Sequence, residues 1–329
     1  MSIPPPDLSR PLRLVFMGTP DFAVPSLQAL LDSEDEVVGV VAQPDKPSGR
    51  RMLLHAPPVK KCASAHQVPV FQPQKIRTSE TLAHLRDWQP DLIVVAAYGR
   101  ILPRPILDLP PHGCINVHAS LLPKYRGAAP IQWAIARGET HSGVTIMKIS
   151  EQMDAGDILL QTQVELADNE TGGSLHDTLA ILGAQALVEA LALFKQGKLS
   201  ASPQNEETVT YAPMLKKEDG QIDWAQDAVS IEQRIRAFHP WPSAYTYLAG
   251  KRLKILGARV DKENVFVPSV SAAAGSVIGI AAVHLSIATG ATGKGCLNVH
   301  TVQLEGKKPL PISEFLKGRN IVLGLRLGT

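Results

Sequence analysis

Leu92-Ile93-Val94-Val95-Ala96-Ala97 decides the fold class. Successive side chains on a strand point to opposite faces, so a run with no polar alternate has two faces to bury. That is the condition of a strand in a parallel sheet covered by helices on both sides. Working outward, residues 12–16 form a similar run ending at Gly18, and 37–41 form another. Between them, 22–31, 59–66 and 78–88 carry apolar residues at helical spacing. Strand and helix in alternation predict an α/β domain with a parallel sheet. Downstream, 114–118, 143–149 and 158–164 are strand-like, and 175–194 has the composition of a closing helix that stops at Gly197.

A chain of 329 residues suits two domains better than one. Hydrophobic residues make up 44% and charged residues 19%, the balance of a folded protein. Residues 1–11, rich in proline, read as a flexible tail, and 12–199 as the α/β domain. The polar stretch 200–212, with Pro203 and Glu206-Glu207, reads as a linker. In 213–329, strand-like pieces at 253–256 and 297–302 lie among glycine-rich turns, with a helix near 231–238. Short strands with frequent turns predict a small C-terminal β-barrel of the oligonucleotide-binding kind.

The net charge of +2 conceals an asymmetry. Residues 213–329 hold 15 Lys and Arg against 9 acids, whereas 1–212 hold 18 against 22. A basic small domain beside an acidic large one points to a polyanionic partner, nucleic acid being the commonest. The longest apolar runs are too short to cross a bilayer and the start does not read as a secretory signal, so no membrane partner is expected. Cys62, Cys114 and Cys296 are odd in number, far apart and free of any Cys-x-x-Cys pair. This argues against a disulfide framework and a zinc ribbon and for a reducing compartment, the cytoplasm or an organellar matrix. Gly18-Thr19-Pro20-Asp21 lacks the glycine spacing of dinucleotide and phosphate loops, and no nucleophile elbow or metal-ligand spacing is present.

The chemistry concentrates at Cys114-Ile115-Asn116-Val117-His118. Asn116 and His118 lie two apart in an apolar strand and so share a face. The loop 119–130 follows at the carboxyl end of that strand, where open parallel sheets bind ligands. An amide donor and an imidazole on a rigid strand suit a reaction that gathers negative charge on oxygen. The alternative is a sheet-capping Asn and a hydrogen-bonded core His. Asp154, in Met153-Asp154-Ala155-Gly156-Asp157, could orient the imidazole; an Asp in a turn before Gly is, however, first read as an Asx turn.

Several stretches resemble one family. Met17-Gly18-Thr19-Pro20-Asp21-Phe22-Ala23, the run from Gln43 to Arg50, Ala97-Tyr98-Gly99, the run from Asn116 to Gln132, Gly143-Val144-Thr145-Ile146-Met147 and Asp154-Ala155-Gly156-Asp157 are similar to the methionyl-tRNA formyltransferases. So are Ile222-Asp223-Trp224, Ile235-Arg236-Ala237-Phe238 with Pro240-Trp241-Pro242, and Gly306-Lys307-Lys308-Pro309. The resemblance implies a Rossmann-like formyltransferase domain joined to a β-barrel, and transfer of the formyl group of 10-formyltetrahydrofolate to the amino group of methionyl initiator tRNA, without a metal. By the same resemblance Asn116, His118 and Asp154 are the catalytic residues, with Asp157 the close competitor of Asp154. Ser120, Leu121, Leu122 and Pro123 line the folate pocket. Lys46, Arg50 and Arg51, with Lys60 and Lys61 nearby, meet the tRNA acceptor end.

The chain departs from the family pattern at Arg51-Met52-Leu53-Leu54-His55, where further lysines are usual; a shallower salt dependence of tRNA binding is the expectation. A monomer is expected. Two alternatives remain at this stage: a folate-dependent formyltransferase or formyl-folate hydrolase acting on a small molecule, and a non-catalytic tRNA- or folate-binding protein.

Overall fold

The computed structural model describes residues 10–48, 53–260, 272–292 and 295–328. Along the chain it places β1 (Arg13–Gly18), α1 (Val24–Leu31), β2 (Glu36–Val41), β3 (Lys46–Ser48), β4 (Leu53–His55), α2 (Pro58–Ala65), β5 (Val70–Phe71), α3 (Ser79–Asp87), β6 (Leu92–Ala96), α4 (Arg104–Leu107), β7 (Cys114–His118), β8 (Arg126–Gly127) and α5 (Pro130–Ala136). There follow β9 (His141–Lys148), β10 (Ile158–Glu165), α6 (Gly172–Lys195), β11 (Tyr211–Ala212), α7 (Ala228–Ala237), β12 (Tyr245–Leu248), β13 (Lys251–Arg259), β14 (Val277–Ile280), β15 (Leu285–Thr289), β16 (Gly295–Leu304), β17 (Leu310–Pro311) and α8 (Ile312–Lys317). Two compact units result: Met1–Pro130, His141–Glu165 and His176–Pro213 make the first, and Ile131–Thr140, Leu166–Leu175 and Met214–Thr329 the second.

The first unit is built on a seven-stranded sheet in the order β10-β9-β7-β6-β1-β2-β5. All five residues of β6 are buried, as the opening run requires. Strands β5, β2, β1, β6 and β7 run parallel to one another. The expected α/β sheet is parallel over these strands and continues with two that turn back: β9 runs antiparallel to β7, and β10 antiparallel to β9. A short connection such as 149–157 can return a chain only in the opposite direction. The outer strand β10 alternates half-buried and exposed residues from Leu160 onward, as an edge strand with one wet face should. From β1 the chain builds β2 and β5 to one side and then β6 and β7 to the other, so the order reverses at β1 and β6. Ligands of open α/β sheets bind outside the carboxyl ends of the strands at such a reversal.

The 24-residue helix α6 is long and apolar enough to cross a membrane by length and composition, which the short apolar runs of the sequence had not led us to expect. Its Leu179, Leu187, Leu191 and Phe194 are buried. Gly183 passes so close to the sheet that a Cβ would lie 2.8 Å from Val117 Cγ1. Packing on the sheet accounts for this helix's hydropathy.

At the start of the chain, residues 1–9 of the expected tail lie outside the described residues. Arg10 is not loose: its guanidinium grips the Asp91 carboxylate with two hydrogen bonds of 2.7 and 2.8 Å. The stretch 200–212 is likewise tied down. Ser202 bridges to Ile158, and β11 pairs in parallel with β8.

The second unit is an antiparallel sheet in the order β12-β13-β16-β15-β14, with β17 also on β16. Ile231 and Ile235 of α7, Phe315 of α8, and Leu253, Ile255, Ile287, Leu297 and Val302 share its core. The sheet curls into a half-barrel, in keeping with the small β-barrel its turn spacing suggested, and among the described residues β12 and β14 do not pair. Register shifts at Gly257 in β13 supply local bending, and helices cover the concave side where closing strands would otherwise be needed. Trp224, from the Ile222-Asp223-Trp224 stretch, is buried and donates its indole N–H to Thr246 Oγ1 at 3.0 Å.

Candidate active site

The reversal point is furnished by the ends of β1, β2 and β6. Thr19 Oγ1 and Gln43 Nε2 both donate to the carbonyl of Tyr98, at 3.3 and 2.9 Å, drawing the three strand ends together. Next to β6 lies β7, which carries Asn116 and His118 on one face. Asn116 is half-buried and its carboxamide has no hydrogen-bond partner among the described residues. An amide without a protein partner is free to donate to a ligand.

His118 is buried, and its Nε2 lies 3.1 Å from the carbonyl of Tyr125. A carbonyl only accepts, so Nε2 carries the hydrogen. The other nitrogen, Nδ1, faces Asp154 Oδ1 at 3.7 Å. Both neighbours of the ring are acceptors.

Asp154 is therefore brought to His118, from 36 residues further along the chain. Its other oxygen, Oδ2, accepts the backbone N–H of Gly127 at 2.8 Å, a long-range bond in place of the local Asx turn that its sequence context suggests. Asp154 itself sits at φ +52°, a region that costs a non-glycine residue energy and persists where its surroundings enforce it. Gly156 two residues on must be glycine, because a Cβ there would lie 1.9 Å from the carbonyl oxygen of Lys148. Asp157 contributes its backbone carbonyl to Lys148 N. No hydrogen bond or ion pair of its side chain is present among the described residues.

The loop Ser120 to Pro123 is held from beneath by Thr145 of β9, opposite His118 in the sheet register. The fully buried Thr145 hydroxyl donates to Ser120 O at 2.6 Å and accepts from Leu122 N at 3.1 Å and Gln161 Nε2 at 2.9 Å. Ser120 and Leu122 are buried, and the Ser120 hydroxyl is committed to the carbonyl of Lys124, while Leu121 and Pro123 are half-buried. Thr145 was not singled out from sequence. Its signal was the one that exposed Asn116 and His118: a polar residue inside an apolar strand.

Of the residues expected to meet tRNA, Lys46 starts β3 and is exposed, donating to Gln43 Oε1 at 3.0 Å. Arg50 and Arg51 lie outside the described residues. Lys60 is engaged with Asp45, at 2.9 Å. The Asp45 carboxyl is held below its ordinary pKa by hydrogen bonds from Gln72 and from Lys60. Among the described residues no group of three His, Cys, Asp or Glu is placed to hold a metal ion. Among the described residues the three cysteines form no disulfide, and burial pushes the Cys114 thiol up to about 12.

The sequence model of the formyl transferase family matches residues 12–191, and that of the formyl transferase C-terminal domain matches 214–320. The methionyl-tRNA formyltransferase of Desulfotalea psychrophila is 51% identical over 315 residues, 94% of each chain. That of Geotalea daltonii is 48% identical over 317 residues, 96% of this chain and 98% of its own. The chain belongs to the methionyl-tRNA formyltransferase family. Among solved structures, an N-formyltransferase from Helicobacter canadensis, in complex with folinic acid and dTDP-3-aminofucose, aligns at a TM-score of 0.64 with 17% identity, covering 88% of this chain and 98% of its own. HypX from Aquifex aeolicus, in complex with tetrahydrofolic acid, aligns at 0.58 with 19% identity, covering 93% of this chain and 47% of its own. Both share the fold of the family at this distance.

Proposed function

We propose that Asn116, His118 and Asp154 carry the formyl transfer of this family member. The chain is an enzyme that transfers the formyl group of 10-formyltetrahydrofolate to the α-amino group of methionyl initiator tRNA. The observation that supports the residue assignment is the presence of an unpaired amide, an imidazole and a carboxylate at β7, the strand beside the point where the sheet order reverses. Its side chains would meet the donor's formyl group there.

In the reaction a bond forms between the amine nitrogen and the formyl carbon, the bond from that carbon to the folate nitrogen breaks, and one proton passes from the amine to that nitrogen. Charge gathers on the formyl oxygen as its carbon becomes tetrahedral. The Asn116 N–H is free to donate to it. His118 has Nε2 on the Tyr125 carbonyl and Nδ1 turned to Asp154 at 3.7 Å, so the reacting oxygen reaches a ring N–H by taking the place of one of these two acceptors. Asp154 orients the ring and is placed to assist the proton on its way. Each oxyanion donor of this kind is worth about 3 kcal/mol.

Lys46, Arg50 and Arg51 serve as acceptor-end contacts in this reading, Ser120 to Pro123 border the donor, and the basic residues 213–329 face the tRNA body. We read the chain as a monomer acting in the cytoplasm, a reducing compartment that suits cysteines without a disulfide. Single-turnover assays of Asn116→Ala and His118→Ala test the catalytic assignment. Each should lower kcat roughly 10²- to 10³-fold with little change in KM, and near-native turnover in either would overturn it.

A further inference from the structure

We propose that Gln204 is a positioning residue that sets the angle at which Asp154 meets His118. It rests on the reading of Asp154 as a member of the catalytic trio. Gln204 lies in the stretch that sequence reads as linker, 50 residues from Asp154. Its amide nitrogen donates to the backbone carbonyls of Asp154 at 2.8 Å and Gly156 at 2.7 Å. Its amide oxygen accepts from Nε and Nη2 of Arg126 at 3.0 and 2.8 Å. A carboxamide has two donor hydrogens and two acceptor lone pairs, so all four are used. Arginine can only donate and carbonyls can only accept, which fixes the orientation of the amide. No other side chain of this length does both: Glu has no donors, Met has neither, and Asn is one methylene short.

Arg126 is itself a built-in anchor. It is 3% exposed, pairs through the rest of its guanidinium with Glu206, and its backbone is held by Thr210 and by the pairing of β8 with β11. The next residue, Gly127, is the one whose N–H holds the Asp154 carboxylate. A closed ring results. From Gly127 it runs to the Asp154 carboxylate, through the Asp154 backbone to Gln204, from Gln204 to Arg126, and along one peptide bond back to Gly127. The carboxylate is fixed by one arm and the main chain by the other, which over-determines the left-handed backbone of Asp154. Releasing the Gln204 arm leaves Asp154 hinged on a single hydrogen bond and free to swing away from Nδ1 of His118.

The test is a double-mutant cycle on the full chain with Gln204→Met and Asp154→Asn, measuring kcat, both KM values and thermal unfolding. Gln204→Met should lower kcat roughly 10- to 100-fold, the scale of a ~1 Å misplacement, and leave both KM values close to native, while Tm falls because the buried Arg126 guanidinium and two backbone carbonyls lose a partner. Because Gln204 acts through Asp154, the double variant should turn over at the rate of Asp154→Asn alone. Penalties that multiply in the double variant, or native kcat in Gln204→Met, would overturn the proposal while leaving the trio intact. Native kcat in Asp154→Asn would instead remove the reading on which it rests. Should Gln204→Met fail to fold, Gln204→Asn, which keeps the amide but cannot span Arg126 and the two carbonyls, should show the same kcat loss and the same non-additivity, and multiplication there overturns the proposal equally.

Discussion

Replacing Thr145 by Val separates the hydroxyl of this residue from its shape. The hydroxyl serves three partners, Ser120 O, Leu122 N and Gln161 Nε2, and the residue is fully buried. Gln161 keeps its bond to Leu122 O, so the loss falls on two backbone groups of the loop. Each buried backbone group left unsatisfied costs about 1–3 kcal/mol, and the added methyl returns about 0.8 kcal/mol. The net expectation is about 3 kcal/mol of lost stability in the first unit, a fall in Tm of roughly 6–12 °C for a unit of this size. Thr145→Ser keeps the hydroxyl and loses only the methyl, and should cost about 1 kcal/mol. Thermal and urea unfolding of both variants, followed by intrinsic fluorescence, gives the comparison, and the KM for the formyl donor should rise in Thr145→Val because the loop from Ser120 to Pro123 loses its tether. If Thr145→Ser proves the more damaging of the two, packing and not hydrogen bonding holds the loop, and the reasoning fails.

Burial alone would raise the pKa of Asp91, but hydrogen bonds from Arg10 and from the Arg13 amide outweigh it and hold the carboxyl below its ordinary value. A depressed folded value means that this stability is present above the unfolded pKa of about 3.9 and is lost as pH falls through the folded one. Asp91→Asn should thus be less stable than the native chain at pH 7, with the gap in urea midpoint narrowing in acid, and a gap constant with pH would refute this. Cys114, its thiol raised to about 12 by burial, should resist a thiol reagent at pH 8 until the chain is unfolded, so that at most Cys62 and Cys296 react in the native protein. Mass-spectrometric detection of rapid Cys114 modification would contradict it.

The elements that were legible in the sequence are those whose signal is local. The runs at 92–97, 114–118 and 175–194 each carry their own periodicity, and each lies within a few residues of the observed element. Strand direction is a relation between partners, and so the reversal of β9 and β10 could not be read from either strand alone. The openness of the second sheet belongs to the same class. Asn116 and His118 were visible as polar breaks in an apolar strand, and Thr145 left the same trace. Asp154 was readable only through resemblance, because its local context is that of an ordinary turn and its partner Gly127 is 27 residues away. Gln204 left no signal: a glutamine in a polar stretch looks solvated, and its three partner residues lie 48 to 78 residues away in sequence.

Formyl transfer from 10-formyltetrahydrofolate to charged initiator methionine tRNA, run beside charged elongator methionine tRNA and free methionine, tests the central claim most directly. The account predicts rapid formylation of the initiator, weak formylation of the elongator and none of the free amino acid. Release of formate, or formylation of a small amine with no activity on the charged initiator, would contradict it.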